Sequence, residues 1–102
     1  MNLTKTQAKK AAAALRNIFA AHTKDDADFS AANGFRASDP FEDLSVIEKN
    51  NTVVVSFDGM AYSLLSVYSE VDSYREEIIA KLDKMGLWIE DINGSSFEVL
   101  PR

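Results

Sequence analysis

Two periods organise this chain of 102 residues. Over residues 4–22 the spacing is helical. At 100° per residue Ala8, Ala11, Leu15, Ile18, Phe19 and His22 fall on one stripe, with Lys5, Lys9 and Arg16 about a quarter turn away. Thr4 or Thr6 supplies a cap, and Ala11 to Ala14 give the middle high intrinsic propensity. Residues 23–42 lose the period. They hold Asp25, Asp26 and Asp28, an Asn33-Gly34 turn signal and Asp39-Pro40, and they predict a long acidic loop pinned across the core by Phe29, Phe35 and Phe41.

From residue 43 the period shortens to two. Leu44 to Glu48, the turn Asn50-Asn51 and the β-branched run Thr52 to Phe57 read as strand, turn and strand. Asp58-Gly59 is a type I′ hairpin signal, and pairing Phe57 with Met60 puts Val53, Val55, Phe57, Met60, Tyr62 and Leu64 on one apolar face. A strand meander over 43–68 is therefore expected. Two other readings compete with it. Asp39-Pro40 suits the start of a short helix through Lys49, and the four-three spacing of Met60, Leu64, Val67, Val71, Tyr74, Ile78, Leu82 and Met85 along most of their segment suits one long amphipathic helix.

A helix over about 70–86 follows, with Ser69 or Ser73 as cap, Val71, Ile78, Leu82 and Met85 as buried stripe, and Gly86 as stop. Leu87 to Ile92, Asn93-Gly94 and Ser95 to Leu100 predict a closing hairpin (87–100), with Trp88, Ile92, Phe97 and Val99 on one face. The fold class is α+β, one domain over 1–102. Its expected form is an antiparallel sheet of about five strands with two helices on one face, in the order α-β-β-β-α-β-β.

Composition changes the picture little. A hydrophobic fraction of 46% and a charged fraction of 26% suit a globular domain. With no Cys, disulfides and thiolate metal sites are excluded and a reducing compartment is permitted. The longest apolar run, Val53 to Val55, is far short of a membrane span, and Met1 to Lys5 lack the apolar stretch of a signal peptide. A cytoplasmic protein with no membrane partner is the expectation.

Charge changes it more. Residues 1–24 carry five bases and no acid (+5), while residues 25–102 carry all 16 acids against six bases (−10). Such a split bears on partners and association rather than on fold.

Reactive chemistry finds no foothold. His22 is the sole histidine, and no Ser or Thr is spaced to serve as its nucleophile. Asp26, Asp28 and Ser30 begin like a calcium loop, but Ala31 and Ala37 stand where Gly and Glu are needed. The acid pairs Glu42/Asp43, Glu76/Glu77 and Glu90/Asp91 are neighbours in sequence, and on a strand such neighbours diverge. No catalytic residue, cofactor or metal is expected.

What remains is contact. Asp25, Asp26, Asp28, Asp39, Glu42 and Asp43, with Phe29 and Phe35, form the candidate partner-binding set, presenting carboxylates to a protein with a basic surface, such as a nucleic-acid-binding complex. Small acidic inhibitors from phages and plasmids, of the anti-CRISPR or anti-restriction kind, share this physical character. A second reading rests on element order, which resembles that of type III secretion chaperones; the resemblance implies a small homodimeric chaperone or adaptor. In a third, Lys5, Lys9 and Arg16 bind nucleic acid directly, a weak footprint on a chain of net charge −5.

Overall fold

Thr4 opens the first helix through a reciprocal cap. The Gln7 amide donates to Thr4 Oγ1 (3.1 Å) and the Thr4 amide donates to Gln7 Oε1 (2.8 Å), so two otherwise orphaned N–H groups are satisfied. Leu3, just before the cap, and Ala8, four residues into the helix, are both buried in the core, which fixes the angle at which the chain enters. In the computed structural model the backbone is described at residues 2–32, 44–58, 65 and 73–102, and side chains at 2–24, 44–58, 65 and 74–102.

Helix α1 runs Lys5–Ala32, ten residues beyond the expected end at 22. Residues 23–32 are therefore helix and not loop. The apolar period fades near Lys24, but Thr23 to Ala32 contain no Gly or Pro, and the first breaker is Asn33-Gly34. A helix already nucleated propagates at one bond per residue through such a stretch, so loss of period does not mark the end of the helix. The rest of the expected loop, 33–42, lies outside the described residues.

Strands β1 (Leu44–Lys49) and β2 (Thr52–Phe57) form an antiparallel hairpin in which Lys49 faces Thr52. The turn is Asn50-Asn51, with φ of 53° and 60°, the left-handed pair that a two-residue I′ turn demands and that Asn tolerates best among residues with a Cβ. The competing helix through Lys49 does not form over 44–49; its first residues, 39–43, lie outside the described residues.

Helix α2 spans Ser73–Asp83, with Glu76 in its first turn and Lys81 in its last, each suited to the dipole there. Its expected start at 70–72 lies outside the described residues. Gly86, at φ +74°, reverses the chain after it, and the Met85 and Gly86 amides donate to the Leu82 and Asp83 carbonyls. Strands β3 (Leu87–Asn93) and β4 (Ser96–Pro101) complete the fold.

The sheet is antiparallel with four strands in the order β1-β2-β4-β3, so among the described residues the strand count is four rather than five. Both edges of β2 are occupied, by β1 and by β4, which leaves Phe57 no place to pair with Met60. Leu65, inside the expected third strand, is helical and buried. The rest of 59–68 lies outside the described residues. The face assigned to β2 holds: Val53, Val55 and Phe57 are buried, with Phe97 and Val99 of β4 beside them.

The core joins these residues to Ala8, Ala11, Ala12, Leu15 and Phe19 of α1, Ile78 and Leu82 of α2, Leu65 and Leu87. The tilted Phe57–Phe97 ring pair, 5.9 Å between centroids, lies within it. Helix α1 crosses β1 and β2 while α2 lies against β3, so both helices cover one face. That is the expected α+β layering.

Candidate functional site

The strand that decides which side chains meet the solvent is β3, and its register differs from expectation by one residue. Ile89 pairs with Val99 and Asp91 with Phe97, with a bulge between Asp91 and Asn93, so that Asn93 faces Ser96. The loop is therefore Gly94-Ser95 rather than Asn93-Gly94. Asn93 Oδ1 accepts from the Ser95 amide (2.8 Å) and from the Ser95 and Ser96 hydroxyls (3.0 and 3.1 Å), which holds Asn93 at the strand end. A one-residue slip turns every side chain over. Trp88 and Ile92 are thus not core partners of Phe97 and Val99; they are 39% and 55% exposed.

The consequence, among the described residues, is a sheet face with no helix on it. Its rows follow from the pairings. Ile47 lies beside Val54, Val54 beside Glu98, and Glu98 directly opposite Glu90. Trp88 lies opposite Leu100, and its indole N–H donates to the Pro101 carbonyl (3.2 Å). Ile47 is 48% exposed, Glu90 is exposed and Glu98 is half-buried. Lys49, opposite Thr52, is a base at the far corner of the face. Two carboxylates thus face each other across paired strands, with aromatic and aliphatic side chains around them. Directly opposed like charges destabilise a strand pair.

Asp91, the next residue, points the other way. Its carboxylate takes both arms of the Arg75 guanidinium (3.0 Å each), and Arg75 Nη1 also donates to the Leu65 carbonyl (2.9 Å). The clamp ties α2 to β3 and to the segment around Leu65. Glu90 and Asp91 diverge as adjacent strand residues must.

Of the residues singled out from sequence, Asp25, Asp26, Asp28 and Phe29 sit on the backbone of α1 rather than on a loop. Phe35, Asp39, Glu42 and Asp43 lie outside the described residues. Lys5 and Lys9 are exposed on α1, whereas the Arg16 guanidinium donates to the Val46 carbonyl of β1 (3.3 Å). The basic stripe is therefore partly tied to the sheet. His22 Nε2 lies 2.7 Å from Glu77 Oε2, with the Tyr74 ring edge-on at 4.7 Å, which joins α1 to α2. Among the described residues no group of three or more His, Asp or Glu is placed to hold a metal ion, and no helix is long and apolar enough to cross a membrane.

Sequence reasoning named neither Glu98 nor the opposition of Glu90 to it. The signal was the true register of β3 against β4, which the Asn93-Ser95 turn chemistry encodes.

The chain matches no protein-family model, and no curated protein or solved structure is similar to it.

Proposed function

We propose that this chain is a non-enzymatic interaction module whose sheet face opposite the helices docks on a protein with a basic surface. The observation that carries the reading is the Glu90–Glu98 pair, held opposite one another with Val54 beside Glu98 and with Trp88 and Leu100 two residues along their strands. Alone, the pair costs stability. A Lys or Arg placed between the two carboxylates turns that cost into a charge-assisted bidentate contact, and the surrounding apolar side chains exclude water from it. Trp88 supplies the large, half-exposed aromatic typical of an interface anchor.

The chain's net charge of −5 steers a basic partner toward it and speeds encounter. A nucleic-acid-binding complex in the cytoplasm, inhibited as phage or plasmid proteins inhibit theirs, is the finer form of this proposal.

The test is affinity capture from host lysate at low and high salt, repeated with Glu90→Gln/Glu98→Gln and with Trp88→Ala. A partner with a basic surface should be retained at low salt, released at high salt and lost from both variants. Retention of the same partner by the neutralised variant would refute the reading.

A further inference from the structure

On the far side of the helical layer from the sheet, α1 and α2 leave a groove of about 710 Å³ between them. Its α1 wall is a single stripe at three-four spacing, Lys10, Ala13, Ala14, Asn17, Ile18 and Ala21, next to the buried stripe but distinct from it. The α2 wall carries Ala80 and Met85, with Glu77, Lys81 and Lys84 along the rim.

The helices run antiparallel. His22, late in α1, bonds to Glu77, early in α2, while Lys10 and Met85 line one wall together at the opposite end. The charges therefore sort along the groove. Lys10, Lys81 and Lys84 gather toward one end, and Glu77 sits toward the other, already engaged by His22. Among the described residues none of the three lysines has an ion-pair partner. On a chain of net charge −5 this is a local reversal of sign.

We infer that this groove is a second docking site, which takes an amphipathic helix of a partner protein carrying carboxylates at one end of an otherwise apolar, small-residue face. The walls fit that occupant. Lys10 to Ala21 spans about 16 Å, or three turns of an incoming helix. Alanine walls let helix backbones approach closely, and Ile18 and Met85 supply apolar contact. The groove is an open trough rather than an enclosed cavity, the shape that receives a helix and not one that surrounds a small ligand. Three ammonium groups at one end set both the charge and the direction of the guest. The site goes beyond the sheet-face reading: it lies on the other side of the molecule and selects the opposite charge.

The test uses two designed helical peptides of about 16 residues, each with an alanine and leucine face. One carries three Glu at one end and the other carries Gln there. Fluorescence anisotropy and amide chemical shifts are recorded for the intact chain, for Lys81→Glu/Lys84→Glu and for Ala14→Trp, which fills the groove from a half-exposed position. All three are first checked for an unchanged circular dichroism spectrum.

The expected result is binding of the Glu peptide with shifts centred on Ala13, Ala14 and Ala80. Affinity should fall about tenfold or more in the charge-reversed variant and with the Gln peptide, and binding should be lost in Ala14→Trp. Equal binding of the two peptides, shifts centred on the sheet, no binding at millimolar peptide, or occupation of the groove by a second copy of this chain would each overturn the inference.

Discussion

The two faces of the sheet are built from the same four strands and obey different rules. On the covered face Val53, Val55, Phe57, Phe97 and Val99 interlock under α1 and α2, and Asp91, on the same side of the sheet, meets a two-pronged guanidinium. On the open face the acid next to it, Glu90, meets another acid. Stability alone accounts for the first face and counts against the second. On the proposed reading, a surface that keeps a mildly unfavourable pair beside an exposed indole is shaped by a partner, and the contrast is one of scaffold against contact surface.

The contrast can be broken by substitution. Its largest consequence concerns the core: Phe97→Ala should lower unfolding free energy by about 3–5 kcal/mol, while Ile47→Ala on the open face stays within about 0.5 kcal/mol. Urea titration of both variants decides it, and equal losses would mean that the open face is structural.

A smaller effect is expected at the clamp. Arg75→Met removes a side chain only 14% exposed and strands the Leu65 carbonyl and the Asp91 carboxylate, itself only 28% exposed. It should cost about 2 kcal/mol, whereas Glu90→Gln one position along should not destabilise. Thermal melts of the pair sharpen the comparison, and a harmless Arg75→Met would remove half of it.

The smallest effect has the opposite sign. Glu98→Lys gives Glu90 a complementary charge across the strands and should stabilise by about 0.2–1 kcal/mol while abolishing capture of a basic partner. A variant that is less stable, or that still captures the partner, would show that the opposed carboxylates are not the contact.

How much of this was legible beforehand depends on the distance over which each feature is encoded. The β1–β2 hairpin was readable because Asn50-Asn51 and the alternation of Val53, Val55 and Phe57 agree within a dozen residues. The capping pair Thr4–Gln7, the Gly86 reversal and the buried stripe of α1 are equally local. Asp58-Gly59 misled because a turn signal does not say which strand lies next to which, and β4 rather than a neighbouring segment takes the free side of β2. The end of α1 is not legible from the period, because a helix continues through a stretch without Gly or Pro whether or not the apolar spacing does. Asn93-Gly94 misled by one position, since Asn93 holds the serines with its side chain instead of entering the loop. That single step hid Glu90 opposite Glu98. Arg75 and Asp91 are 16 residues apart on different elements, and no spacing rule joins them. Lys10 lies on α1, Lys81 on α2 and Lys84 in the turn after it, and only the packed structure supplies their relative placement.

Arg16 has one more consequence. An antiparallel sheet with two bare margins invites other strands to add on, the first step toward fibrous assembly. Here the guanidinium of Arg16 occupies a carbonyl of the outer strand β1, and a bulge between Asp91 and Asn93 disrupts the ladder of the outer strand β3. Each border is interrupted by a different means, and both interruptions work against sideways growth of the sheet.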